Sequence, residues 1–162
     1  MPRSAAPLML CLVWPAIALA QAAPAEREAT AVAAPMAITW TAVEKEVRSD
    51  PNNGRLELIQ QGTTLKKGRW RMMIPTSDFR AGEWAVCQSG AESARAPRQG
   101  VFDVSVNGDS AATTVLVMAR WSAQDPQDEQ RAIACRSTAR YEQEMERRIR
   151  SRAEKEAKKE KS

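Results

Sequence analysis

Few residues in this chain are of a type that could carry chemistry. Its 162 residues include three cysteines (Cys11, Cys87 and Cys135) and five tryptophans, but no histidine. Without imidazole, Ser-His-Asp and Cys-His nucleophile systems and His-ligated zinc or copper sites are excluded. A carboxylate pair is the remaining acid/base device, with Glu57, Asp78, Glu83 and Asp103 as candidates. Each stands at an alternating or loop position, where a solvated carboxylate is the ordinary outcome. A Ser–Lys dyad needs a lysine in the core, yet the lysines fall at Lys45, at Lys66-Lys67 and in the C-terminal tail. The run Asp125 to Glu129 (DPQDE) gathers three carboxylates but lacks the glycine turn and terminal glutamate spacing of a calcium loop. It reads as a solvated hairpin tip. The residue types point to a non-enzymatic protein and imply no cofactor or metal.

The cysteines take their meaning from the start of the chain. Met1-Pro2-Arg3 supplies a short positive region, Leu8 to Leu19 an apolar run, and Ala18-Leu19-Ala20 a small-x-small cleavage pattern. Residues 1–20 therefore read as a signal peptide, since about a dozen apolar residues fall short of the roughly 20 that a spanning helix needs. Cys11 lies inside the apolar run rather than at the cleavage point, so it is not read as lipid-modified. Export leaves Cys87 and Cys135, which in an oxidising compartment have one intramolecular pairing. Their bridge closes a loop of about 49 residues, worth roughly 4 kcal/mol on the chain-entropy account. The absence of a C-x-x-C spacing argues against a redox-active pair.

Two groups of residues are candidates for binding. Trp40, Trp70, Trp84 and Trp121 are expected mainly in the core, because they keep step with strand alternation. The sharper reading makes Trp70 and Trp84 an exposed stacking platform for a sugar or peptide, with Arg69 and Arg71 beside Trp70 to meet an anionic ligand. That reading describes a small periplasmic ligand-binding or hydrolase-inhibitor module. The second group is the C-terminal tail, where Arg150, Arg152, Lys155, Lys158 and Lys159 stand out. Between Gln21 and Ala139 basic and acidic residues number 14 each, whereas Arg140 to Lys161 holds nine basic and six acidic. The net positive charge thus belongs to the tail. Interspersed acids and the expected compartment exclude nucleic acid, and the distal tail has no apolar face to insert into a membrane. A partner protein of the cell envelope is the expected ligand, ahead of anionic lipid or glycan.

Gln21 to Ala37 is rich in Ala and Pro and reads as a flexible leader. Trp40, Val43 and Val47 suit a short amphipathic helix within Thr39 to Arg48, capped by Thr39 or Thr41 and stopped by SDPNNG. Six short strands follow, over Arg55–Gln61, Arg69–Ile74, Glu83–Gln88, Val101–Val106, Thr113–Ser122 and Arg131–Ser137. GTTLKKG is expected as a hairpin loop bracketed by Gly62 and Gly68, and NGDSAA, from Asn107 to Ala112, as a second hairpin loop signalled by its Asn-Gly. Ser137 and Thr138 open a C-terminal helix whose Tyr141, Met145 and Ile149 form one apolar stripe. Past Ile149 no large apolar residue occurs, so residues 150–162 are expected to project and fray. The predicted architecture is a single α+β domain over 38–149: a short N-terminal helix, a mostly antiparallel sheet, and a long C-terminal helix on one face. No transmembrane segment remains once residues 1–20 are removed.

Overall fold

The structure, a computed structural model, describes residues 27–78, 80–88, 95–125, 128 and 131–162. The expected signal peptide and its cleavage point lie outside these residues. Among the described residues the fold is α+β: an antiparallel sheet of seven strands, two principal helices and one helical turn. The strands are β1 (Thr30–Val32), β2 (Glu57–Gln61), β3 (Leu65–Met73), β4 (Ala85–Cys87), β5 (Gln99–Gly108), β6 (Thr113–Gln124) and β7 (Ala132–Ser137). The helices are α1 (Met36–Ser49), the single turn α2 (Ala81–Trp84) and α3 (Arg140–Glu160). Along the sheet the order is β2-β3-β5-β6-β7-β4, with β1 pairing the start of β6.

Period-two alternation sets the sheet's two faces. On β3, Gly68, Trp70 and Met72 point inward, in register with Val104, Phe102 and Gly100 of β5. The inward set continues on β6 as Val117, Ala119 and Trp121. Lys67, Arg69, Arg71 and Met73 point the other way. Gly100 is a packing requirement, since a Cβ there would sit 2.6 Å from the Phe102 ring and 2.9 Å from that of Trp121. The hairpin forms where NGDSAA signals it, but its turn is Asp109 to Ala112: Asn107 and Gly108 (φ +147°) end β5, paired with Thr114 and Thr113. The GTTLKKG segment behaves differently. Its turn closes early, with Gly62 N–H donating to the Leu65 carbonyl, and Lys66, Lys67 and Gly68 belong to β3.

Both long helices cover the inward face. α1 begins at Met36, earlier than its Trp-Val-Val spacing implies, because Pro35 fixes the entry and Met36 N–H donates to the Asp109 carbonyl. Thr39 is no cap: it is buried inside the helix and shares a 2.9 Å hydroxyl contact with Thr113. At the start of α3, Ala139 adopts a left-handed conformation (φ 63°), and Ser137 Oγ accepts its N–H while donating to Glu142. The predicted Tyr141, Met145 and Ile149 stripe is buried, and it continues through Ala153 and Ala157.

That continuation corrects the expected projecting tail. The alanines extend the buried stripe along α3, and polar ties join that helix to α1. Glu46 of α1, only 4% exposed, accepts from Arg148 Nε at 2.8 Å and also from Arg152. Lys45 reaches Glu156 at 2.8 Å. The leader is corrected as well. β1 pairs with Val115, Thr114 and Thr113, and Val32 and Ala34 are buried.

One buried carboxylate joins these parts. Between the β6 segments paired with β1 and with β7 lies Val117, whose backbone is served by side chains. Its N–H donates to Glu146 Oε1 at 2.8 Å, and Arg27 Nη1 donates to its carbonyl at 2.6 Å. Arg27 Nη2 also reaches Glu146 Oε1 at 3.0 Å, and Thr30 Oγ1 donates to Oε2 at 2.9 Å. Glu146 is 2% exposed and engaged through both oxygens.

The expected disulfide is present. Cys87 and Cys135 are directly opposed in the β4–β7 ladder, with Cα atoms 4.1 Å apart. Cys87 exchanges its backbone hydrogen bonds with Arg95 instead, which makes the cysteines a non-hydrogen-bonded pair, the closer of the two antiparallel pair types. β4 is three residues long and β7 is its strand partner, so the bridge secures the edge that carries Trp84. Such a bond fits a protein that matures outside the reducing cytoplasm.

Two stability measurements follow from this packing. Replacing both cysteines by alanine should lower unfolding stability by about 4 kcal/mol in denaturant titrations. A loss below about 1 kcal/mol would show that the ladder holds β4 without the bridge. Glu146→Ala should cost about 3 kcal/mol, because it strands Arg27 and the Val117 amide. Glu146→Gln should cost less than half as much, since its amide oxygen still accepts from Val117.

Candidate surface for partner binding

The structure separates the residues that the sequence grouped around Trp70. Trp70 is 1% exposed and stacks on Phe102 with centroids 4.9 Å apart, while Arg69 and Arg71 occupy the opposite face of the sheet. Trp84 sits in the α2 turn just before β4, 8% exposed, against Trp121 and Tyr141. Trp40 and Trp121 are buried too. A stacking platform needs exposed rings, and these rings build the core. The reading of the protein as a binder that uses exposed tryptophans is therefore withdrawn. Burial also pushes the Tyr141 phenol well above its usual value.

What the sheet does expose is its outer face. At outward positions Met73 is 63% exposed and Met118 52%, while Ile59, beside the β2 bulge, is 55% exposed. Ile59 and Met118 line a depression of about 280 Å³ together with Leu116, Lys67, Arg69 and Asp103. That is just below the volume range usual for small-molecule pockets, and the depression lies on an open strand surface. Asp103 receives Arg69 Nε at 2.7 Å and Arg120 Nη1 at 2.9 Å, so one carboxylate orders two guanidinium groups. The Asp103 contact raises the Arg69 pKa further above its ordinary value. With Lys67 and Arg71 added, the centre of the face is apolar and carries an excess of positive charge.

Sequence reasoning singled out Arg69 and Arg71 but missed Ile59, Leu116, Met118 and Arg120. A signal was available in Val115 to Ala119 (VLVMA), which is apolar at both inward and outward positions. Such a run in a strand whose sheet is covered on one side marks an outer face that avoids the usual polar alternation.

The tail candidates also divide. Arg152 is turned inward to Glu46, so it leaves the group. Arg150 bridges to Glu154 at 3.0 Å and remains exposed, as do Lys155, Lys158 and Lys159. Arg147, Arg150, Lys155, Lys158 and Lys159 share one side of α3.

Of the carboxylates weighed for acid/base work, Asp103 is held by arginines, Glu57 stands opposite Arg69 in the β2–β3 ladder on the same face, Glu83 faces Arg140 at 3.4 Å, and Asp78 caps the backbone N–H of Arg80. Much of the DPQDE loop lies outside the described residues. Among the described residues no group of three or more His, Cys, Asp or Glu side chains could hold a metal ion, and no helix is long and apolar enough to cross a membrane. Compared with known protein families, curated proteins and solved structures, the chain finds no match.

Several surface carboxyls titrate below their ordinary values. Backbone N–H groups of Ala111 and Ala112 lower Asp109, the Ala33 N–H lowers Glu154, and Lys45 lowers Glu156. A carboxyl whose folded pKa is depressed stabilises the fold fully above its unfolded value, and this is lost as pH falls through the folded value. The melting temperature should therefore hold from neutral pH down to about pH 5 and decline below it. Lys45→Met should shallow that acid limb by removing the contact that lowers Glu156. An unchanged limb would show that this exposed ion pair contributes nothing.

Proposed function

We propose that this protein is a non-enzymatic, exported accessory or adaptor of the bacterial cell envelope, residing in the periplasm. It binds another envelope protein through the open face of its sheet. The observation that carries this reading is the set of exposed apolar residues Ile59, Met73 and Met118 among Lys67, Arg69, Arg71 and Arg120. Large apolar side chains on a solvated strand face are a cost unless a partner covers them. Their cationic surroundings suit a partner whose contacting surface is acidic. The signal-like layout of residues 1–20 and the Cys87–Cys135 bridge support export.

A photoreactive amino acid at Met118, introduced in cells that make the protein, should give one discrete crosslinked species. The same residue at Thr41, an exposed position on α1, should give none. Arg71→Glu combined with Met73→Glu should abolish the Met118 crosslink while leaving the melting temperature within a few degrees, since exposed substitutions typically change stability by about 0.5 kcal/mol or less. Equal crosslinking at Met118 and Thr41 would remove the basis of the proposal.

A further inference from the structure

The tail's charge is nearly balanced in sequence and strongly one-sided in space. Of the six acidic residues between Arg140 and Lys161, four are drawn into contacts. Glu142 binds Ser137, Glu146 binds Arg27 and Val117, Glu154 accepts the Ala33 N–H at 3.2 Å, and Glu156 binds Lys45. Two of the nine basic residues, Arg148 and Arg152, turn inward to Glu46. The exposed charges from Arg147 onward are Arg147, Arg150, Lys155, Lys158, Lys159 and Lys161, against Glu160 and the half-buried Glu154, which lies among them and pairs with Arg150 at 3.0 Å. Folding converts a mixed sequence into a cationic surface.

This surface is long, straight and free of large apolar side chains. Arg147 to Lys159 spans about 18 Å at 1.5 Å per residue. Its exposed non-ionic neighbours are small, such as Ser151 and Ser162. The buried stripe through Met145, Ile149, Ala153 and Ala157 anchors α3 from the opposite side, so the cations face away from the sheet. Protein interfaces concentrate their energy in buried aromatic and arginine anchors and are depleted in lysine. This stripe is lysine-rich and offers nothing to bury. It matches an extended surface of phosphate charge, to which compact cations contribute without inserting.

We infer that the outward side of α3 docks the protein electrostatically on an anionic phospholipid surface. This goes beyond the partner reading above and does not depend on it, because the open sheet face and the α3 stripe point in opposite directions. The bound orientation would lay α3 along the headgroups and leave Ile59 and Met118 facing away from the bilayer.

The test is co-flotation of the protein, purified as its cells accumulate it, with two kinds of vesicle. One is phosphatidylcholine alone, the other phosphatidylcholine mixed with phosphatidylglycerol. The protein should float with the anionic vesicles, not with the neutral ones, and should be released by raised salt. A combined Lys155→Glu, Lys158→Glu, Lys159→Glu variant should lose anionic-vesicle binding by at least about tenfold while its melting temperature stays unchanged. A Lys66→Glu, Lys67→Glu control on β3 should bind as the parent does. Equal flotation with neutral vesicles, or an equal loss in the β3 control, would overturn the inference. So would retention on polyglutamate resin without any binding to anionic vesicles, which would assign the stripe to an acidic polypeptide.

Discussion

The structure turns on the backbone of Val117 in the middle of β6. β1 pairs with one end of that strand and β7 with the other, and a buried peptide group left between them would carry a desolvation cost of about 1–3 kcal/mol. Arg27 and Glu146 answer it by donating to its carbonyl and accepting from its amide, which is what a neighbouring strand would do. Each side chain comes from an element that would otherwise lack a fixed position. Arg27 precedes a three-residue strand, and Glu146 sits within the apolar stripe of α3. A purely hydrophobic stripe tolerates sliding along a sheet, whereas a carboxylate that must meet one peptide N–H does not. The pair thus sets where α3 lies.

Once α3 is placed, α1 follows from it. Arg148 and Arg152 converge on Glu46, and Lys45 pairs with Glu156 at 2.8 Å. Both helices then occupy the same side of the sheet, which leaves the other side open. The uncovered face is a consequence of how the chain buries its charges. The disulfide works at the far edge, holding short β4 against β7 so that Trp84 can close the aromatic cluster of Trp121, Phe102 and Tyr141. Polar contacts position the helices, and the covalent bond holds the last strand of the sheet.

Much of this was legible in the sequence wherever periodicity speaks alone. Arg69 to Ile74 alternates cleanly, and its inward set is the one observed. NGDSAA marks the β5–β6 hairpin, although its Asn107 and Gly108 belong to the strand, and the two remaining cysteines form their bridge. The errors share a cause, since each depended on a long-range partner. Gly68 looked like a loop boundary, but it lies inside β3, where a Cβ would come within 2.9 Å of Trp40 and Leu56. Thr30 to Val32 has no strand signature of its own and becomes a strand because β6 and Glu146 are there to receive it. Ala153 and Ala157 continue the stripe at the right interval, yet small residues carry weight only when the rest of the fold closes over them. Trp84 falls in the α2 turn and Trp40 in α1, whereas the direction of Trp70 and Trp121 was readable from strand period. Which face met solvent was not, because that depends on where the helices land.

The same dependence explains why charge counts along the tail mislead. Nine basic and six acidic residues describe composition, but the effective surface charge depends on which side chains the fold employs. Carboxylates serve the fold because they accept backbone N–H groups, as buried Glu146 does from Val117 and half-buried Glu154 from Ala33, a role that lysine and arginine cannot fill. Cations satisfy buried carboxylates, yet Arg148 and Arg152 suffice for Glu46 and the rest remain outside. An interior that needs acceptors will therefore draw acids inward and leave the outer surface basic. In this protein the cationic face of α3 follows from how its sheet and helices satisfy their own hydrogen bonds.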